Sequence, residues 1–331
     1  MSMKLAFLLP ALFLAFPHGH AGAAPFEPSV LEALQPPAEH GAFHSGWISL
    51  GLKAADLEEK QVSPGHITDV GEAQMQLYFP AGWKPQDRRA ALCIFPGGGY
   101  AIQAIEKEGG HIARWAAEHG MVGVVVKYRV SGSNDAVGRF PGPLLDARQA
   151  LRVTRRHASA LGVDPHRIGV MGFSAGGHLA ASYGVFWKKK TFLAEELGVD
   201  AEQLRPNGLL LSYPVITSGP KAHRGSFTNL LGDRYDELVD EMSLENQVSL
   251  DTPKTFLWHT APDDCVPVEN SILFFTALHA LEIPVEMHIY PVGGHGLGLA
   301  SEETQSYEYQ NAVREECQSW ISLALSWMQH L

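Results

Sequence analysis

The chain has 331 residues, 45% of them hydrophobic, and 36 acidic against 25 basic side chains give a formal net charge of −11. That is ample for a large buried core. The acidic balance, with no basic cluster beyond Lys188-Lys189-Lys190, argues against a nucleic-acid partner.

The N-terminus reads as a targeting segment. Lys4, the apolar run over 5–16 and the small-x-small ending Ala21-Gly22-Ala23 predict a signal peptide over 1–23, with Ala24 first after cleavage. The run is too short for a membrane anchor, which needs about 20 apolar residues. A secreted or periplasmic protein without a membrane segment after cleavage is expected. Residues 24–70 are rich in Pro, Gly and Ala and lack periodicity, which predicts an irregular leader packed on a catalytic domain over 71–331.

Within that domain the pattern becomes regular. QMQLYF (74–79) alternates like an edge strand, and AALCIF (90–95) is a buried strand ended by PGGGY. A helix is expected over 102–119, then the strand MVGVVVKY, a helix over 143–161 and the strand RIGVM. Next come a helix over 175–186, the strand NGLLLSY and a polar insertion at 218–249. KTFLWH, a helix over 268–281, PVEMHIY and a terminal helix over 303–330 complete the chain. Apolar strands alternating with amphipathic helices specify an α/β fold, a mostly parallel sheet with helices on both faces. The insertion follows a strand's carboxyl end, where it can act as a cap over a site.

Ligands of such sheets collect outside the carboxyl ends of the strands. Ser174, in GFSAGG, follows one strand; Asp263 and Asp264 follow the next but one, and His295, in GGHG, follows the last. A serine hydroxyl needs an imidazole to take its proton, and the imidazole needs a carboxylate to hold its tautomer. Serine, acid and histidine stand in the chain order of an α/β-hydrolase triad. An oxyanion needs preorganised amide donors, for which Gly97-Gly98-Gly99 and the amide of Ala175 are placed. GFSAGG alone is equally an ordinary strand–helix turn, and PGGGY alone a flexible one. The joint pattern carries the reading.

The stretches FPGGGY (95–100), KEGG (107–110), KYRV (127–130), PLLDARQALRVTR (143–155), DPHRIGVMGFSAGGHLAA (164–181), YPVI (213–216), HTAPDDCVPVENS (259–271) and IYPVGGHGLGL (289–299) resemble the α/β-hydrolase family of bacterial carbohydrate esterases, with its acetylxylan-esterase-like and feruloyl-esterase-like members. The resemblance implies an α/β-hydrolase fold, a serine esterase acting on an acylated carbohydrate, and a triad of Ser174, Asp263 and His295. It also implies Gly98, Gly99 and Ala175 around the oxyanion. It selects Asp263 over Asp264, which is expected to face solvent or its own loop.

Other residues carry two readings each. Arg129 and Asp146 read as a structural ion pair, since a buried charge needs a partner. Glu108 could orient the glycine loop, but a carboxylate stabilised by a helix N-terminus is the simpler account. Tyr100, Tyr213, Trp187 and His223 are candidates for an acyl or sugar platform, with core packing as the alternative for the aromatic residues. His178 reads as a packing residue. The sixteen histidines show no metal-ligand spacing, so no metal or cofactor is expected. Cys93, Cys265 and Cys317 define neither a disulfide framework nor a zinc site, with one bridge left open.

Overall fold

Strands too apolar to tolerate water on either side set the middle of the molecule. VGVVVK, GLLLS and TFLWHT are buried at every residue, which only a sheet covered on both faces allows. In the computed structural model the described residues are 41–54, 57–130, 132, 136–189, 199–305 and 313–331. The predicted signal peptide, the leader up to residue 40, Lys190 and residues 306–312 of the predicted terminal helix lie outside them.

Nine strands form the main sheet. β1 (Phe43–His44), β2 (Ile48–Lys53) and β5 (Glu72–Phe79) make its antiparallel end. β7 (Val122–Lys127) pairs antiparallel with β5, and from β7 onward the sheet is parallel: β6 (Arg89–Phe95), β8 (Val163–Phe173), β9 (Gly208–Ser212), β10 (Thr255–Thr260) and β11 (Val285–Tyr290). A separate hairpin, β3 (Lys60–Ser63) with β4 (His66–Thr68), lies outside this sheet. The helices are α1 (His111–Glu118), α2 (Gly142–Arg156), α3 (Ala175–Phe186), α4 (Arg224–Leu231), α5 (Glu269–Ala280) and α6 (Ser319–Met328).

Several sequence expectations change. The segment 41–70 is not an irregular leader: β1 and β2 belong to the main sheet, so the sheet crosses the expected boundary at residue 70. β5 is an inner strand, flanked by β7 on one side and by β1 and β2 on the other. Its alternation of buried Ala73, Met75 and Leu77 with Glu72, Gln74 and Gln76 reports two faces of unequal polarity, not an edge.

The helix expected from residue 102 starts later, through a π-turn at Glu106–Gly110. The backbone before it is committed elsewhere: the Ile102 amide bonds Gly98 O, Ala104 bonds Gly97 O, and Gln103 exchanges bonds with Ile67 of the hairpin. α2 ends at Arg156 rather than 161, and among the described residues of the expected terminal helix, short turns at Glu302–Thr304 and Glu315–Cys317 precede α6. The helix over 175–186 matches its expected span.

The insertion 218–249 folds as α4 and three shorter helical turns, at 232–234, 235–238 and 244–246. Its buried Phe227, Leu230, Leu238, Met242 and Leu244 face the body. Arg129 and Asp146 form the expected buried pair, with Nη2 and Oδ1 2.6 Å apart. All three cysteines are free.

Candidate active site

Ser174 joins β8 to α3 with φ 53° and ψ −119°, a left-handed conformation that a side chain adopts only under constraint. The neighbouring glycines explain how the turn closes. A Cβ at Gly172 would lie 2.0 Å from Gly176 O, and one at Gly176 would lie 2.1 Å from Phe95 O. Neither position admits another residue. The Ser174 amide donates to Ser212 O (3.0 Å) and its carbonyl accepts from Val215 N (3.0 Å), which tie the turn to β9 and the segment after it.

Two loops bring partners to this serine. His295 Nε2 lies 2.8 Å from Ser174 Oγ, and His295 Nδ1 lies 2.7 Å from Asp263 Oδ2. Asp263 Oδ1 accepts from the amides of Cys265 (3.0 Å) and Val266 (2.9 Å). A fourth residue, His259 at the end of β10, reaches the same carboxylate with Nε2 at 3.2 Å from Oδ2. Its ring is fixed by Ser271 Oγ (2.8 Å) and Val266 O (2.9 Å). Burial alone pushes the Asp263 carboxyl up, but the hydrogen bonds from His259 and His295 and the Val266 amide outweigh it and hold the group well below the usual carboxylate range. The carboxylate therefore stays ionised beside the imidazole. Asp264 is exposed and lines the cavity above, so Asp263 is the acid in contact with His295.

Gly98 and Gly99 line the same cavity as Ser174 and His295. Gly98 has φ 133° and Gly99 φ 65°, and a Cβ at Gly98 would lie 2.2 Å from Ile102 O. The carbonyls aim the amides. Gly97 O accepts from Ala104 N (3.0 Å), and Gly98 O from Ala101 N and Ile102 N (both 3.1 Å). In a trans peptide the N–H opposes the C=O, so the Gly98 and Gly99 amides turn away from those partners. Asn229 of α4 donates to Gly99 O at 2.8 Å and pins the end of the loop. Ala175 begins α3, where an amide has no intrahelical acceptor.

Glu108 is not a helix-dipole carboxylate. It is buried, with Oε2 accepting from Gly97 N (2.8 Å) and Oε1 from Tyr213 Oη (2.8 Å), so it orients the glycine loop directly. The aromatic platform does not form. Tyr100 and Tyr213 are buried, at 2% and 0% exposure, and so is Trp187. Tyr100 Oη bonds His178 Nδ1 (2.9 Å), and Trp187 Nε1 donates to Asp251 O (2.8 Å). Each polar tip has a protein partner, and none of the three lines the cavity. His178 is buried as expected but also ties three parts together: Tyr100 from the glycine loop, α3, and Met242 O of the insertion (3.0 Å).

His223 does line the cavity, half-buried, with Nδ1 2.8 Å from Ser226 Oγ. Burial and the nearby His295 lower its pKa. The cavity measures about 500 Å³. Its rim carries two residues that pattern reading passed over, His66 from the β3–β4 hairpin and Lys107. The Lys107 ammonium has no ion-pair partner among the described residues, and burial lowers its pKa. No motif marks His66 or Asn229, and Lys107 and His259 open the family-like stretches KEGG and HTAPDDCVPVENS without being singled out there. His259 also had a positional signal, four residues before Asp263 at a strand end. Among the described residues no group of three His, Cys, Asp or Glu side chains is arranged to hold a metal.

Chain order and position together define the class. Serine, acid and histidine come in that sequence from the ends of β8, β10 and β11 of a mostly parallel sheet, as in α/β-hydrolases. The chain belongs more narrowly to the BD-FAE family, whose model matches residues 75–278. Among solved structures, the acetyl ester-xyloside bifunctional hydrolase of Caldicellulosiruptor lactoaceticus is 34% identical with a TM-score of 0.67, covering 89% of this chain and 98% of that one. The carboxylesterase Cest-2923 of Lactobacillus plantarum is 25% identical with a TM-score of 0.66, covering 83% and 98%. The acetylxylan esterase of Xylanibacter ruminicola is 29% identical over 285 residues, which are 84% of this chain and 54% of that protein. The endo-1,4-beta-xylanase B of Butyrivibrio fibrisolvens is 38% identical over 218 residues, 65% of this chain and 34% of that one. The chain thus spans about half and a third of these two curated relatives.

Proposed function

We propose that the protein is a serine esterase that removes acyl groups, acetyl above all, from plant-type polysaccharides or their oligosaccharides. The observation that carries the reading is the continuous relay Ser174 Oγ–His295–Asp263, with steps of 2.8 and 2.7 Å. His295 takes the serine proton as Oγ attacks the ester carbonyl, and Asp263 stabilises the imidazolium. The amides of Gly98, Gly99 and Ala175 face the negative charge on the former carbonyl oxygen. His295 then protonates the departing sugar oxygen, leaving an acyl-serine. Water, deprotonated by His295, attacks that ester and releases the acid and free Ser174. No cofactor takes part.

The carbohydrate half of the reading draws on the acetylxylan esterase, xylanase and xyloside hydrolase among the relatives. The cavity supports it with a polar rim: His66, Lys107, His223 and Asp264 can bond sugar hydroxyls. The insertion 218–249 serves as the cap, lending His223 to the rim and Asn229 to the glycine loop. Export completes the proposal. It rests on the signal-peptide pattern over 1–23, and exported protein is expected to begin at or within a few residues of Ala24 by mass spectrometry.

The test is a panel of acetylated xylan, feruloylated arabinoxylan, nitrophenyl acetate, nitrophenyl octanoate and a peptide. Acetyl esters are expected to be cleaved fastest and the peptide not at all. Preference for octanoate would point to a lipase, and preference for feruloyl esters to a feruloyl esterase. Covalent labelling of Ser174 by a fluorophosphonate checks the chemistry independently.

A further inference from the structure

Acyl transfer needs the base and the oxyanion donors in register around one carbon atom. Here two of the donors and the base come from different loops, the glycine loop 97–99 and the loop 293–300 after β11. Neither loop is held to the other by regular secondary structure. Between them lies a chain of buried hydrogen bonds: Gly97 N donates to Glu108 Oε2 (2.8 Å), Tyr213 Oη donates to Glu108 Oε1 (2.8 Å), and Gly298 N donates to Tyr213 Oη (2.9 Å). We propose that Glu108 and Tyr213 are positioning residues, a strut that holds the oxyanion loop and the His295 loop at a fixed separation across Ser174. The proposal rests on the serine-esterase reading above.

Four further observations place the strut against the reacting groups. A Cβ at Gly97 would lie 2.7 Å from Glu108 Oε2 and 2.9 Å from Ser174 Cβ, so the carboxylate sits beside the serine. The Tyr213 ring meets the His295 ring edge to face, with centroids 5.1 Å apart. Tyr213 also has φ 37°, a strained conformation that persists where the surroundings over-determine it. Its backbone amide is tied to Trp258 O of β10 at 2.8 Å. One tyrosine thus touches the acid's strand, the base's ring, the base's loop and, through Glu108, the oxyanion loop. Its hydroxyl has one proton to give and spends it on Glu108, while its lone pair serves Gly298. Removing that oxygen cuts the link between the two loops, while the Gly97–Glu108 and Asn229–Gly99 bonds stay in place.

Tyr213→Phe keeps the ring against His295 and deletes only the bridging oxygen. On nitrophenyl acetate kcat is expected to fall about 10- to 100-fold with KM within about threefold, because the register matters in the transition state more than in the bound ester. Glu108→Gln can still accept from Gly97 but leaves the Tyr213 hydroxyl without its acceptor, and a similar loss is expected. The double variant should be about as slow as the slower single variant, since both changes cut the same strut. Melting temperature and near-ultraviolet circular dichroism establish that each variant folds.

A Tyr213→Phe enzyme with kcat within threefold of wild type overturns the proposal. So does a loss carried wholly by KM, or a double variant whose losses multiply as two separate packing defects would. If Glu108→Gln does not fold, the split between kcat and KM in Tyr213→Phe decides alone. Ser174→Ala is run in parallel: an active Ser174→Ala strikes the serine reading itself, while an inert Ser174→Ala beside a normal Tyr213→Phe strikes only the strut.

Discussion

The floor of the cavity and its rim are built on different principles. On the floor, backbone sterics leave almost no choice. Gly172, Gly176 and Gly98 each sit where a Cβ would lie 2.0–2.2 Å from a carbonyl oxygen, and Asp263 is wrapped by two amides and two imidazoles. On the rim, His66 comes from a two-stranded hairpin, Lys107 from a π-turn and His223 from the edge of α4, and their identities are not dictated by backbone contacts. Such a division lets chemistry stay constant while substrate choice drifts. It also predicts that floor substitutions abolish turnover on every ester, whereas rim substitutions discriminate between esters.

The largest effect is expected at the serine. Ser174→Ala should lower kcat by about 10³–10⁶-fold with the fold intact, His295→Ala by a similar factor, and the double variant little further. Steady-state kinetics with nitrophenyl acetate and a matched circular dichroism spectrum check this; activity within tenfold of wild type would make GFSAGG an ordinary strand–helix turn.

The adjacent aspartates place the border between floor and rim at a single peptide bond. Asp263→Asn should cost on the order of 10⁴-fold in kcat through the wrong histidine tautomer. Asp264→Asn should cost less than about tenfold. The reverse ranking would move the acid to Asp264.

Below the floor, His178 links the glycine loop to the insertion, and burial lowers its pKa to about 4. As pH falls from about 6.5 the unfolded chain takes up a proton that the folded chain refuses. Stability should therefore decline between about pH 6.5 and 4, by up to about 1.4 kcal/mol per pH unit from this group. His178→Gln removes the titration, so its melting temperature should depend less steeply on pH across that window. Parallel curves for the two proteins would show that His178 does not carry the effect.

The smallest effect belongs to the rim. His223→Ala should reduce kcat/KM for an acetylated xylo-oligosaccharide about tenfold, the worth of one hydrogen bond, while nitrophenyl acetate changes less than about threefold. Equal losses on both esters would move His223 from the rim to the floor and erase the division at that residue.

The alternation of apolar strands and amphipathic helices sufficed to read the parallel half of the sheet, because burial on both faces leaves a continuous apolar run that water cannot tolerate. That Ser174, an aspartate pair and His295 follow the ends of β8, β10 and β11 was legible as well, since tight turns and charge demand particular residue types there, while the choice of Asp263 over Asp264 came from the family resemblance. What only the tertiary structure decided depends on contacts between distant segments. β1 and β2 join the sheet through pairing with β5, which lies some 20–30 residues on, and nothing in 41–54 carries a long apolar run. Tyr213 and Tyr100 look like platform residues until burial and a full set of hydrogen-bond partners take them away from the cavity. Glu108 meets Tyr213 across 105 residues of chain. Local sequence cannot show such a meeting, because a carboxylate that caps a helix and one that braces a loop are the same residue until the sheet brings its partners together.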